Sequence, residues 1–373
     1  MKKTILIFGL LITVVFCFGA CQGAPTAGEH SSAPAAQKAE VPAVSENLQY
    51  FCHRQLRDDL TLYLYMNEEG IIADGRIQNL TTGETCAVPV KDFYFSGSFL
   101  EIRVAEEFFY LFSSSSCAAF SFDGKLLKAV DMPEDMASAI FPAFCLSGDL
   151  AKIAYVKATA DGAQQLAVQT LATGEEKTVT TLDAAKALQL SDVTSLSFSK
   201  DGNVLGFSGI TNPDPAEQSV ECYGRIFTDG SNLELVPAPK TAVRFYGDSM
   251  FVQDSGYSVN EARSGKIIIY HFATGQTTEV QTQNPLESDF AFPVNETDFV
   301  TLLPTADGAA LTVYQNGKAT IQKEIAFASE GDKNNSTGNL AFASYSPVSG
   351  KILLDGYKQN GDRLLPYLYE LDA

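Results

Sequence analysis

From Asn47 to Ala373 the hydrophobic positions come in short runs that alternate with polar residues or stay apolar for a few positions. No long stretch carries the 3.6-residue period of an amphipathic helix. Ile267 to Phe272 and Leu364 to Leu371 are typical runs, each of strand length. Asp-Gly pairs starting at 74, 123, 161, 201, 229, 307 and 355, with Asn-Gly at 316 and 360, punctuate them. Such pairs accept the positive φ angles of tight hairpins. Short strands joined by hairpins over more than 300 residues predict an all-β domain.

A longer period overlies the strands. Leu80-Thr81-Thr82-Gly83-Glu84, Leu171-Ala172-Thr173-Gly174-Glu175 and Phe272-Ala273-Thr274-Gly275-Gln276 share one pattern. Weaker equivalents lie around Gly124, Gly230 and Gly317. These six glycines recur at intervals of about 47 residues, and a blade of four antiparallel strands needs roughly 40–50. Each glycine is therefore expected in the turn between the third and fourth strands of a unit. The units fall at 47–90, 91–133, 140–183, 190–239, 240–284, 288–328 and 339–373. The expected fold is a seven-bladed β-propeller, with six or eight blades as neighbouring counts. The last unit ends after its third strand, so closure is expected to use a strand from near Glu40 to Gln49. A large β-sandwich has similar turns but not the longer period.

A second landmark is Ser197-Phe198-Ser199-Lys200-Asp201-Gly202-Asn203-Val204-Leu205-Gly206-Phe207-Ser208. It resembles the repeat of TolB-like and WD-type propellers, F-S-P-D-G-K-x-I-A-F, with Lys200 in place of the proline. Phe144 to Tyr155 and Ser344 to Leu354 match more loosely. The resemblance is to a repeat class and implies a scaffold, not a particular activity.

The N-terminus reads differently. Lys2 and Lys3 precede a 17-residue apolar run from Thr4 to Ala20, the form of a secretory signal. Phe18-Gly19-Ala20-Cys21 resembles a bacterial lipobox, with Phe18 where leucine is usual. The resemblance implies cleavage after residue 20 and lipidation of Cys21, the one modified residue expected. Two or more acyl chains give stable anchoring. Residues 21–46 hold the lipidated cysteine and an Ala-, Pro- and Ser-rich stretch without Leu, Ile or an aromatic residue. Such a stretch buries too little apolar surface to offset its ordering entropy and reads as a flexible tether. The propeller domain is expected over 47–373, on the extracytoplasmic face of a bacterial cell envelope.

Charge narrows the partners. With 26 Lys+Arg against 45 Asp+Glu the net charge is −19, and −21 once Lys2 and Lys3 are removed. A nucleic-acid partner is not expected, because phosphate binding needs cations. Membrane contact is expected only through the lipid on Cys21.

Candidate chemistry is sparse. No G-x-S-x-G, H-E-x-x-H, C-x-x-C, P-loop or dinucleotide fingerprint occurs. No catalytic residue, cofactor or metal ligand is therefore assigned. The mature histidines are His30, in the tether, His53 and His271. Cys52-His53 is read as an inward cysteine beside an outward histidine, since neighbouring strand residues face opposite ways. His271 reads as a partly buried strand residue. Cys52, Cys86, Cys117, Cys145 and Cys222 fit no disulfide framework and read mostly as buried thiols. Asp58-Asp59, Glu68-Glu69, Glu106-Glu107 and Glu134-Asp135 read as solvated loop charge, with an acidic pair for glycoside chemistry as the functional alternative. Long insertions at 209–221, 255–264 and 328–339 are candidate ligand loops. The chain is thus read as a lipid-anchored propeller that binds an envelope protein, a peptide or a glycan. The alternatives are a carbohydrate-active envelope enzyme using paired carboxylates and an accessory sensor or assembly subunit of a membrane complex.

Overall fold

The structure is a computed structural model. It describes residues 37–38, 41–45 and 47–372, apart from 98–99, 137–142, 161–162, 184–189, 212–219, 239–240, 255–263, 305–307, 327–339 and 361–362. The signal segment and Cys21 lie outside the described residues, as do most of the three long insertions.

The described strands form seven four-stranded antiparallel sheets. Six sheets are each built from four strands consecutive in sequence, spanning 49–88, 101–131, 144–182, 190–237, 241–281 and 291–326. These are blades 1 to 6. The seventh sheet is composite. Leu340–Tyr345, Lys351–Asn360 and Arg363–Asp372 supply three strands, and the two-residue strand Gln37–Lys38 pairs with the last of them. Gln37 sits opposite Glu370 and Lys38 opposite Tyr369.

The seven-bladed expectation is corrected to six self-contained blades, with a further sheet completed, as expected, by a strand from the N-terminal side. The closing strand also differs from the expected 40–49, because Gln49 already begins blade 1. The described structure thus reaches into the segment read as tether. Val41, Val44 and Leu48 pack beside Tyr63, Tyr65, Leu353 and Leu368 at the seam between blades 1 and 7. The Tyr65 hydroxyl donates to the Pro42 carbonyl at 2.9 Å. Buried apolar contacts and a satisfied hydroxyl offset the ordering cost that composition alone suggested.

Strand composition follows position in the blade. Phe108–Phe112 (FFYLF), second in its sheet, is buried throughout, because both faces meet neighbouring blades. Gln276–Gln281 (QTTEVQ) is outermost and buries only Val280. One apolar cluster fills each seam. Blades 1 and 2 share Leu64 and Phe109, and blades 2 and 3 share Phe112 and Phe144. Blades 3 and 4 share Leu166 and Phe207, and blades 4 and 5 share Tyr223 and Phe272. Blades 5 and 6 share Phe251 and Phe299, and blades 6 and 7 share Leu311 and Leu354. The seam of blades 7 and 1 closes the ring.

The six repeat glycines all have positive φ, between 70° and 86°, and each lies between the third and fourth strands of its blade. At two of them neighbouring backbone also forbids a side chain. A Cβ on Gly124 would collide with the Ala87 carbonyl of blade 1, and one on Gly230 would lie 2.6 Å from the Val179 carbonyl of blade 3. Among the described residues, helix is confined to 3-10 turns such as Val90–Asp92 and Pro285–Phe290, and none is long and apolar enough to cross a membrane.

Candidate functional site

The innermost strands leave a central cavity of about 850 Å³. Its wall carries three arginines, Arg54, Arg103 and Arg244, from the first strands of blades 1, 2 and 5. Each stands in register with an apolar residue of the second strand: Leu62, Tyr110 and Phe251 respectively. The first strand is the free inner edge of its sheet, so a long polar side chain there can extend along the channel without disturbing the seams.

The arginines lie on aromatic rings. The Arg54 guanidinium carbon is 4.9 Å from the Phe342 ring centre, and that of Arg244 is 4.5 Å from Phe292. Phe342 and Phe292 meet edge to face, centroids 5.0 Å apart. A continuous arc, Arg54–Phe342–Phe292–Arg244, thus crosses blades 1, 7, 6 and 5. Arg103 lies 5.1 Å over Phe245. Such contacts contribute about 0.5–2 kcal/mol each and hold the cation at the ring while its N–H groups can still meet an acceptor.

The three cations differ in compensation. Arg103 pairs with Glu101 at 2.8 Å and donates to the Ser195 hydroxyl at 2.5 Å. Burial draws its guanidinium down, but Glu101 and neighbouring groups outweigh that and hold it above its ordinary value. Burial and then the nearby Arg103 charge push Arg54 down to about 10. Burial and then Arg54 push Arg244 down to about 10. Both remain cationic at neutral pH. Neither makes an ion pair among the described residues, and Arg244 Nε is buried without a hydrogen-bond partner. The wall's carboxylates are engaged elsewhere: Glu101 with Arg103, Asp355 with His53, and Asp192 with the Val193 amide at 2.8 Å. Glu221 is itself partnered.

Arg103 and Phe245 also line a smaller cavity of about 120 Å³. There the turns between first and second strands of four blades are tied near the axis by Lys200. Its ammonium reaches Glu296 at 3.0 Å and Glu106 at 3.4 Å, and its amide donates to Asp248 at 2.7 Å. Burial raises the Asp248 carboxyl.

At the ring's seam His53 Nδ1 lies 2.8 Å from Asp355 Oδ1, and His53 Nε2 lies 2.8 Å from the Ser344 hydroxyl. Asp355 also accepts from the Tyr50 hydroxyl and, at 3.2 Å, from the His53 amide. The order Ser–His–Asp is that of a nucleophilic triad. Ser344, however, is 5% exposed and does not line the cavity, so its hydroxyl has no open side for a substrate carbonyl. The group binds blade 1 to blade 7. The expectation of an outward His53 is corrected: it is 3% exposed, because ring closure places blade 7 on that face.

The remaining sequence candidates are dispersed. His271 is half-buried, 2.8 Å from the Ser249 hydroxyl. Cys117, Cys145 and Cys222 are buried free thiols, and Cys52 and Cys86 are half-buried and free. Burial pushes the Cys145 and Cys222 thiols up to about 12. The acidic pairs sit at turns and, apart from half-buried Asp59, are exposed. No group of three or more His, Cys, Asp or Glu among the described residues could hold a metal ion. The channel arginines were not singled out by sequence reasoning. A lone arginine inside an apolar first strand, as in Ile102-Arg103-Val104 and Val243-Arg244-Phe245, is the signal that was available.

Comparison with known proteins adds the fold. An oligogalacturonate lyase from Vibrio parahaemolyticus is similar over 91% of this chain and 98% of its own, with a TM-score of 0.53 and 12% identity. The fold is a β-propeller. TolB from Acinetobacter baumannii is similar over 87% of this chain and 79% of its own, at 14% identity and a TM-score of 0.36. The acylaminoacyl peptidase of Pyrococcus horikoshii is similar over 87% of this chain at 14% identity and a TM-score of 0.40. This chain spans only 46% of that peptidase. No family model matches the sequence, and no curated protein matches it.

Proposed function

We propose that this chain is a lipid-anchored binding propeller of the bacterial cell envelope, held through Cys21 on the extracytoplasmic face, whose central channel receives part of a protein, peptide or glycan partner. The observation that carries this reading is the channel of about 850 Å³, with three arginines on its wall, inside the ring. Its size falls within the roughly 300–1,000 Å³ of ligand sites. The lipobox-like segment at 18–21 supports the location.

Two measurements test it. Mass spectrometry of the N-terminal peptide should find acyl groups on Cys21, and Cys21→Ser should release the protein from membranes. Crosslinking in the native envelope should recover a stoichiometric partner joined to channel-mouth residues; recovery of none would end the binding reading. A second reading, a carbohydrate-active enzyme, rests on Glu101, Asp192, Glu221 and Asp355 on the same wall. It requires turnover of a glycan, abolished by one carboxylate-to-amide change. Propellers host unrelated chemistries, so the lyase's fold does not choose between the readings.

A further inference from the structure

We propose that the channel binds a small ligand through its oxoanion groups, carboxylate or phosphate, gripped between Arg54 and Arg244. This rests on the reading that the channel is the binding site, and it specifies what enters.

The argument begins with an imbalance. In a chain of net charge −19, carboxylates are abundant, and an arginine needed only for structure readily finds one. Arg103 does so with Glu101. Arg54 and Arg244 do not, although acids stand on the same wall. Instead they repel each other, and Arg244 keeps a buried Nε–H with no acceptor. A buried unsatisfied donor on a cation is costly, and an anion at Arg244 would offset that cost.

The stacking geometry makes the site specific. Phe342 and Phe292 lie between the two guanidiniums, and each guanidinium faces its own ring. One ring covers each guanidinium from one side, and an acceptor meets the N–H groups left open. There a planar fork matches the paired oxygens of a carboxylate or phosphate. The two forks belong to blades on opposite sides of the Phe–Phe contact, which suits a ligand with two oxoanions or one oxoanion and a polar tail. The strongly acidic chain also disfavours large polyanions spread over its surface, whereas Arg54 and Arg244 stand inside the channel.

The test uses the folded chain with glucuronate and citrate as carboxylate probes, inorganic phosphate and glucose 6-phosphate as phosphate probes, and glucose as the neutral control. Calorimetric titration and thermal melting are read in the native protein and in Arg54→Gln, Arg244→Gln and Arg103→Gln. At least one anion should bind and raise the melting temperature, glucose should not, and Arg54→Gln and Arg244→Gln should each weaken binding at least tenfold. The arm that binds identifies the oxoanion. Without ligand, Arg244→Gln should lower the melting temperature less than Arg103→Gln, because Arg244 has only a ring contact to lose whereas Arg103→Gln also breaks the pair with Glu101. Absence of binding by every anion, or equal binding in Arg54→Gln and Arg244→Gln, overturns the inference. Crosslinking to an envelope partner that persists in those variants would leave the binding propeller standing while this site falls.

Discussion

His53 and Asp355 are separated by 302 residues of chain and joined by a contact of 2.8 Å. One belongs to the first strand of the first blade and the other to the last blade, so this pair spans the place where the ring is closed. Tyr50 and Ser344 complete the set, leaving both imidazole nitrogens and both carboxylate oxygens with partners.

Removing one member leaves the others buried and unsatisfied. Asp355→Asn or His53→Ala should therefore lower unfolding free energy by about 2–4 kcal/mol. Urea denaturation measures it. Lys125→Ala, which removes the exposed pair with Asp123, is the control and should change nothing measurable. Equal effects in the two cases would show that the seam pair is not a latch.

Blade 7 owes its fourth strand to Gln37–Lys38. Deleting residues 37–48 should expose the backbone edge of Arg363–Asp372 and remove Val41, Val44 and Leu48 from the seam. A lower melting temperature and concentration-dependent association should follow, since an unpaired edge is a template for pairing. Light scattering and calorimetry report both. A monomer with unchanged melting would refute the closure described above.

The turn glycines should separate into two classes. Gly83→Ala meets no neighbouring atom and should cost about 1–2 kcal/mol for left-handed backbone alone. Gly124→Ala and Gly230→Ala add a collision with the preceding blade's carbonyl and should cost more. A common value for all three in urea melts would contradict the close approach of adjacent blades.

Acid should weaken two matched turns. The Ser147 hydroxyl donates to Asp149 and the Ser199 hydroxyl to Asp201, each at 2.6 Å, and these bonds hold both carboxyls below their ordinary value. A carboxyl lowered by folding stabilises above its unfolded pKa, about 3.9, and that contribution is lost as pH falls through the folded value. Ser147→Ala with Ser199→Ala should thus reduce stability at pH 6 more than at pH 2.5. An equal loss at both pH values would mean that the carboxylates are not involved.

Much of the fold was legible because its determinants are local. A hairpin needs its own Gly or Asp-Gly, and a strand pressed between blades needs its own apolar run, so the repeat, the strand class and the third-to-fourth turns all appear in one pass along the chain. Gly83, Gly174 and Gly275 mark three blades from four or five residues each. The site was less legible. Arg54 and Phe342 are nearly 290 residues apart, and nothing beside either announces the other. His53 was misread for the same reason: strand alternation tells which side a residue takes, not whether another blade arrives there.

What the amino-acid order determined by itself was the repeating unit: short strands, glycine turns and apolar faces that one sheet cannot cover. What only the tertiary structure decided was how the circle closes and what stands in its middle. Closure depends on which distant segment pairs with Arg363–Asp372, and Gln37–Lys38 is too short to betray that in composition. The channel's character depends on charges brought together by the ring, since two arginines on separate strands come to share one wall, beside acids that other groups engage, only after folding.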